Sequence, residues 1–326
     1  MMSLIDRRNT KQIVYSCDNN YVEQTIISII SMLKHNNSLI KVWIVSDNIS
    51  KINKINIMNK LLIHHVDIEF LDINVVLRDF YLEEQTHHPR TIYAKLFLEQ
   101  IINEDRLLYL DSDTVINDNL DYLWERDMEQ ELIAGVQMPY SDKVKKAMNI
   151  DQQSPYLCDG MVMLNLGLWR KYSIGRQCKE FIEQHRGNPP MMSEGTLNFV
   201  CQNRIGVLHP KYNLMPSMLM YSSDQIKKIF CVSIYYNDAE LLEARTFPVV
   251  IHFIKELYNR PWLEPCDHPL KYLYRNERDK VFGNMPYKVQ KLGLNTRCTR
   301  MLKKSLPFSI FAGLYHFKKS FLNGKL

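Results

Sequence analysis

Four things are missing from this 326-residue sequence, and each removes a class of protein. The seven cysteines, at positions 17, 158, 178, 201, 231, 266 and 298, are odd in number and include no Cys-x-x-Cys pair. Neither a disulfide scaffold nor a zinc ribbon is expected, and a reducing cytoplasm is the default setting. No apolar run approaches the roughly 20 residues needed to cross a bilayer, and Met1–Arg8 has no apolar signal core. The eleven glycines form neither Gly-x-Gly-x-x-Gly after the first strand nor Gly-x-x-x-x-Gly-Lys, so a dinucleotide fingerprint and a P-loop are both absent. Acid is missing from the end of the chain: Arg297–Leu326 has seven Lys or Arg and no Asp or Glu, against a net charge of +5 for the whole. The remainder is close to neutral, and nucleic acid is not expected as a partner.

What is present is a hydrophobic share of 46%, enough for a sizeable core. The pattern alternates strand and helix. Gln12–Cys17, Lys41–Asp47 and Asp67–Asp72 read as strands, with helices at Tyr21–Lys34 and Ser50–Ile63 between them. That order predicts a parallel sheet of right-handed βαβ units. Asp18-Asn-Asn-Tyr21 lies at a strand's carboxyl end, where it offers N-cap chemistry and where open α/β sheets also bind ligands. A further helix is expected near Arg90–Leu98. Lys95 in it is most simply a solvated charge, and His87 and His88 just before it are loop residues.

The chain is organised around Arg106–Ile116. An apolar strand, Leu107–Leu110, stops at Asp111-Ser112-Asp113 and resumes as Val115-Ile116. Carboxylates at i and i+2 of an extended segment project to one side. Two such oxygens suit a hard divalent cation such as Mn2+ or Mg2+. A strand end with an Asp turn accounts for the same letters equally well.

Downstream, Leu132–Gln137 is a strand, and Asp142–Asp151 reads as a mobile polar loop. Tyr156–Leu166 reads as a strand pair bent at Gly160. Asp159, in an apolar context, needs a donor, a metal or a substrate hydroxyl. Ser193 caps a helix that carries Glu194 in its first turn. Pro248–Phe253 is an apolar strand containing His252, followed by the basic loop Asn259–Trp262. Near Pro265 the composition shifts toward Tyr, Arg and Lys, which divides the chain into a domain over 10–265 and a basic region over 266–326.

Five of these pieces, in order, resemble family 8 glycosyltransferases, retaining enzymes typified by bacterial lipopolysaccharide galactosyl- and glucosyltransferases. They are Ile13–Tyr21, Arg90–Leu96, Leu108–Asp113, Gly160–Trp169, and His252-Phe253 with Arg260-Pro-Trp262. The resemblance implies an α/β fold: a single Rossmann-like nucleotide-diphospho-sugar transferase domain of GT-A type with a mixed, mainly parallel sheet. It implies transfer of a hexose, glucose or galactose, from a UDP-sugar to a glycan or lipid-linked acceptor. Asp111, Asp113 and His252 would then hold Mn2+, with Mg2+ as the substitute. Ser16, Asp18, Asn20 and Tyr21 would meet the nucleoside. His87, Lys95, Asp111, Ser112 and Arg260 would meet the diphosphate and sugar, and Glu194 and Asp159 would be the candidate catalytic carboxylates. The sequence departs from the family pattern in several places. Lys95 replaces an Arg, Cys158-Asp159 replaces an Asn and a small residue, Ser193-Glu-Gly195 replaces Asp-Gln-Asp, and the His252–Trp262 loop is about two residues longer.

Two rival readings compete. Leu108–Val115 also fits the first motif of haloacid-dehalogenase-like phosphatases, with Asp111 as nucleophile and Asp113 as acid/base, although their later Gly-Asp-x-x-x-Asp is missing. A non-catalytic binding module on the same scaffold is the other. The basic, aromatic stretch 297–326 is read as a peripheral contact with the inner face of the cell membrane.

Overall fold

The computed structural model describes residues 10–78, 80, 89–256, 258–291, 293, 306, 308 and 310–313. The alternating pattern builds the first half: β1 (Lys11–Asp18), α1 (Val22–His35), β2 (Ile40–Asp47), α2 (Lys51–Leu61) and β3 (Asp67–Asp72). A helical segment, Arg90–Gln100, leads into β4 (Arg106–Leu110), and β5 (Thr114–Ile116) follows across the Asp-Ser-Asp turn. Next come β6 (Ile133–Gln137), α3 (Asp142–Ala147), β7 (Leu157–Asn165), α4 (Leu166–Tyr172), α5 (Ile174–Gln184) and α6 (Met192–Cys201). The last elements used below are β8 (Ile205–Val207), β9 (Val250–His252) and α7 (Lys271–Phe282).

The main sheet runs β3-β2-β1-β4-β7-β6-β8. β1 pairs parallel with both β2 and β4, whereas β7 is antiparallel to β4 and β6, so the sheet is mixed and mainly parallel as expected. Chain order reverses at β1, and the crevice between the carboxyl ends of β1 and β4 is where this architecture receives ligands. One core cluster packs α1, α2 and the Met215–Ala244 region on one face of the sheet. The other packs the Arg90–Gln100 segment with α4, α5 and α6 on the opposite face. α7 lies against α1, where Arg278 pairs with Glu23 at 3.1 Å and Lys34 with Glu277 at 2.8 Å.

Three local readings are corrected. Asp142–Ala147 is a helix, capped by the Ser141 hydroxyl on the Val144 amide. Leu157–Asn165 is one continuous strand, not two strands bent at a glycine. The helix α1 starts at Tyr21 without a side-chain cap, because Asp18 spends both carboxylate oxygens on Asn20, at 2.8 and 2.9 Å. Among the described residues no helix is long and apolar enough to cross a membrane.

Candidate active site

Two strands bring distant parts of the sequence together. β5 and β9 form an antiparallel ribbon that sets Thr114 opposite His252, and the Phe253 amide donates to the Asp113 carbonyl at 2.8 Å. His252 Nε2 then lies 3.0 Å from Asp113 Oδ1 and 3.8 Å from Asp111 Oδ2. One ligand atom from each of the three residues falls within 4.8 Å of the others. The other imidazole nitrogen, Nδ1, is 3.0 Å from Asn213 Oδ1 and donates there, while the Asp113 carboxylate outweighs burial, holds the ring charged and accepts from Nε2.

Below this cluster a run of hydroxyls ties the Asp-Ser-Asp segment to α1. Thr25 Oγ1 meets Ser112 Oγ at 2.8 Å, Ser28 Oγ meets Thr114 Oγ1 at 2.9 Å, and the Tyr15 hydroxyl meets Ser28 at 3.1 Å. Ser112 thus turns its hydroxyl inward, and only its backbone is left to face a ligand. On the far side, the Asp111 amide donates to the Gly160 carbonyl at 2.7 Å. A Cβ on Gly160 would stand 2.3 Å from His252 Cε1 and 2.6 Å from Asp111 Oδ2. This close approach, rather than a bend, is why the position is glycine.

The charges are buried and matched. Lys95, 1% exposed, is the reverse of a solvated charge. Its ammonium lies 2.9 Å from Asp159 Oδ2, donates to the Asp159 carbonyl at 2.9 Å, and stands 3.8 Å from Asp111 and 4.2 Å from the Tyr109 ring centre. Burial, the largest single influence, would depress its pKa, yet Asp159, Tyr109 and Asp111 together outweigh it and hold Lys95 charged. Burial raises the Asp111 carboxyl in spite of Lys95. Asp113 is also buried, but His252 and Arg260 outweigh burial and keep it ionised. Ser193, expected as a cap, instead donates to Asp159 Oδ2 at 2.7 Å, and α6 begins at Met191 without a side-chain cap. Burial, and then the neighbouring Asp159, push Glu194 up to about 8.

Arg260 closes the cleft. Its guanidinium donates to the Tyr21 hydroxyl at 2.5 Å and to Asp113 Oδ2 at 3.4 Å. The Tyr21 ring meets Trp262 edge-on at 6.3 Å. A cleft of about 240 Å³ is lined by Ser16, Asp18, Tyr21, Thr91, Asp111 and Arg260, among others. Ser16 Oγ and Arg260 Nε are buried there without partners. Asn20 is exposed at the rim. Asp159 and Glu194 lie beyond Lys95, while His87 falls outside the described residues. Sequence reasoning missed Asn213, which carries no local signal because its partner lies 39 positions away. It also missed Asn198, which clamps Leu157 through both its N–H and its carbonyl, at 2.7 and 2.9 Å.

A sheet of this order, with an acid pair at the carboxyl end of β4 and a histidine delivered beside it, defines a GT-A glycosyltransferase. The chain belongs to glycosyl transferase family 8, whose model matches residues 12–266. It is 23% identical to general stress protein A of Bacillus subtilis over 84% of this chain and 93% of that protein. It is 27% identical to glycosyltransferase GlyB of Streptococcus pneumoniae over 78% of this chain, a match that spans 58% of GlyB. In fold it is similar to the galactosyltransferase LgtC, solved with donor and acceptor sugar analogues. That likeness has a TM-score of 0.69 at 20% identity and covers 88% of this chain and 99% of the other. The protein is therefore a glycosyltransferase, and the phosphatase and non-catalytic readings of Asp111-Ser-Asp113 are set aside.

Proposed function

We propose that this enzyme transfers a hexosyl group, glucosyl or galactosyl, from a UDP-sugar to a saccharide or lipid-linked acceptor with retention of configuration. The observation that carries the reading is the half-buried Asp111–Asp113–His252 cluster opening into a cleft that Arg260 also faces. Two carboxylates and one imidazole form a mixed oxygen–nitrogen set that suits Mn2+ better than Mg2+. The glycine at 160 leaves the cluster the space it needs. A bound divalent cation supplies Lewis-acid charge to the departing diphosphate.

The chain's own groups account for the rest. Arg260, fixed by Tyr21, presents a cation to the diphosphate. The Asp18–Tyr21 turn and Ser16 receive the nucleoside. Lys95 holds Asp159 against the sugar side of the cleft, where Glu194 stands next to it. A carboxyl held up at about 8 is mostly protonated near neutrality and is a poor nucleophile, while Asp159 Oδ2 is already engaged by Lys95 and Ser193. This favours front-side attack by the acceptor, with Glu194 orienting the sugar through hydrogen bonds and Asp159 on the same side stabilising positive charge at the anomeric carbon.

The experiment is a panel of UDP-sugars with Mn2+, scored for hydrolysis and transfer, beside p-nitrophenyl phosphate. Release of UDP from UDP-glucose or UDP-galactose, dependent on Mn2+, is expected. Turnover of the phosphate ester alone refutes the reading. Glu194→Gln is expected to keep substantial turnover. A fall to background, together with a sugar adduct trapped on Glu194, overturns front-side attack.

A further inference from the structure

The helix α2 is amphipathic in the wrong sense for a surface helix. Its inward face is Ile57 and Leu61, fully buried. Its outward face carries Ile52 (79% exposed), Ile55 (58%) and Met58, and Leu62 (70%) and Ile63 (77%) continue the row in the following turn. At 100° per residue, Ile52, Ile55 and Leu62 fall on one side, opposite Ile57 and Leu61. Solvent-facing positions of a helix ordinarily hold charged and polar residues. Here Ile52, Ile55, Met58, Leu62 and Ile63 share them with the exposed Asn59, an apolar strip of the kind that marks a contact surface.

The charge around that strip has one sign. From Asn48 to Val66 there is no Asp or Glu, while Lys51, Lys54, Lys60, His64 and His65 all fall in this span. The acids bordering this span are Asp47 at the end of β2, which accepts from the Asn48 side chain at 3.0 Å, and three in the adjoining edge strand β3. Asp67 and Glu69 face Lys41 at 3.9 and 2.7 Å, and Asp72 accepts from the Asn74 amide at 2.8 Å. We propose that the outer face of α2 seats the enzyme on an anionic lipid bilayer, with Ile52, Ile55, Leu62 and Ile63 entering the interface and Lys51 at the edge of the strip meeting headgroups.

Charge complementarity selects this occupant. A second copy would offer the same basic face, so an isologous pairing would oppose like charges. An anionic bilayer offers acyl chains to the strip and negative headgroups to its flanks, and lysine stems can reach around apolar surface to those headgroups. Two placements agree with it. Lys60 donates to the Val281 carbonyl at 2.8 Å and lies 5.2 Å from the Phe282 ring centre, so the chain leaves α7 beside α2 on its way to the acid-free segment 297–326. Within that segment Phe308 meets Tyr221 and Phe311 is buried, so these two aromatics face the protein body. At its other end, α2 is tied to the cleft by Asn19, which bridges the Asn48 carbonyl, the Ser50 amide and the Asn53 side chain at 2.8 to 2.9 Å. A molecule lying on α2 holds its donor cleft near the membrane plane, where an acceptor with a lipid anchor would be found.

The test uses the full chain and two kinds of vesicle, phosphatidylcholine alone and phosphatidylcholine mixed with phosphatidylglycerol. Sedimentation with the mixed vesicles only is expected. Replacing Ile52, Ile55, Leu62 and Ile63 together by Gln should lower the partition coefficient about tenfold or more with thermal unfolding and UDP-sugar hydrolysis unchanged. An Ile55→Trp variant should gain blue-shifted emission on the mixed vesicles, quenched by acyl-brominated lipid and read as a difference from the parent. Equal partitioning of the Gln variant, or an unshifted Ile55→Trp signal, overturns the proposal. So does self-association of the parent in solution that the Gln variant loses, which would assign the face to a second copy. None of these readouts depends on the identity of the donor or acceptor.

Discussion

Replacing Gly160 by Ala adds one methyl group at the most crowded point of the site. The φ angle at Gly160 is not positive, so alanine fits the backbone and any effect reports space alone. The new carbon would lie 2.3 Å from His252 Cε1 and 2.6 Å from Asp111 Oδ2. Carbon–carbon contacts settle near 3.5 Å, so the imidazole must retreat by about 1 Å. It has little room, being 1% exposed and held by Asn213 on its other nitrogen. Ligand distances in metal sites tolerate roughly 0.2 Å, so a displacement of this size should cost Mn2+ affinity about a hundredfold or more. Overpacking should cost about 1–3 kcal/mol of stability besides. Titration of Mn2+ followed by the electron paramagnetic resonance of the free ion measures the first, and urea unfolding the second. Gly135→Ala is the control. Its Cβ would meet Leu157 Cδ1 and the Met161 carbonyl at 3.2 Å, away from the ligands, so stability should fall while Mn2+ affinity holds. A Gly160→Ala protein that binds Mn2+ as tightly as its parent would show that the cluster is not the cation site.

Three further outcomes are expected. Lys95→Met leaves Asp159 buried without its cation and should lower the free energy of unfolding by about 3–5 kcal/mol; pairing it with Asp159→Asn should restore stability in urea titrations without restoring transfer. Asn213→Leu removes the acceptor that orients His252 and should weaken Mn2+ binding by about 10–100-fold, whereas Asn213→Asp keeps an acceptor and should stay near the parent. Glu194, raised to about 8 from 4.5, binds its proton more tightly folded than unfolded, so its contribution to stability is complete below about pH 4.5 and is lost as pH rises through about 8. The parent should therefore lose up to a few kcal/mol relative to Glu194→Gln across that window, and parallel stability profiles would refute the raised value.

The first half of the fold was legible because its signals are periodic and local. β1, β2, β3 and β4 are apolar runs ended by Asp, and the helices between them keep one apolar face. The acid pair was legible as two carboxylates at the end of an apolar strand, although it sits in the turn between β4 and β5 and not within a strand. Where the sequence misled, long-range contact overrode local chemistry. Lys95 sits in a stretch whose pattern leaves a lysine free for solvent, but Asp159, 64 positions on, draws it inside. Gly160 resembles a bend, yet its smallness serves His252, 92 residues later. Ser193 and Asp18 are both good caps, and both have carboxylate business elsewhere: Ser193 on Asp159, and Asp18 on Asn20. The short helix α3 was hidden because six residues show too little periodicity, although Ser141 at its start was a usable signal.

The arrangement of charge favours the proposed cation site over a strand end that serves only the fold. Four acids, Asp111, Asp113, Asp159 and Glu194, lie together, buried or half-buried, with three basic groups, Lys95, His252 and Arg260. Asp159 is matched by Lys95 and Ser193, and Asp113 by His252 and Arg260. Glu194 reduces its cost by keeping a proton. Asp111 is the acid left over: its nearest cations, Lys95 and His252, stand 3.8 Å away, beyond hydrogen-bond reach, and burial raises its carboxyl. A strand end serving only the fold would favour an uncharged residue there. A carboxylate kept short of partners, beside a second carboxylate and an imidazole whose outer nitrogen is already fixed, gains most from an added positive charge. The ribbon register that sets Thr114 against His252 places that need at the mouth of the cleft, facing Arg260.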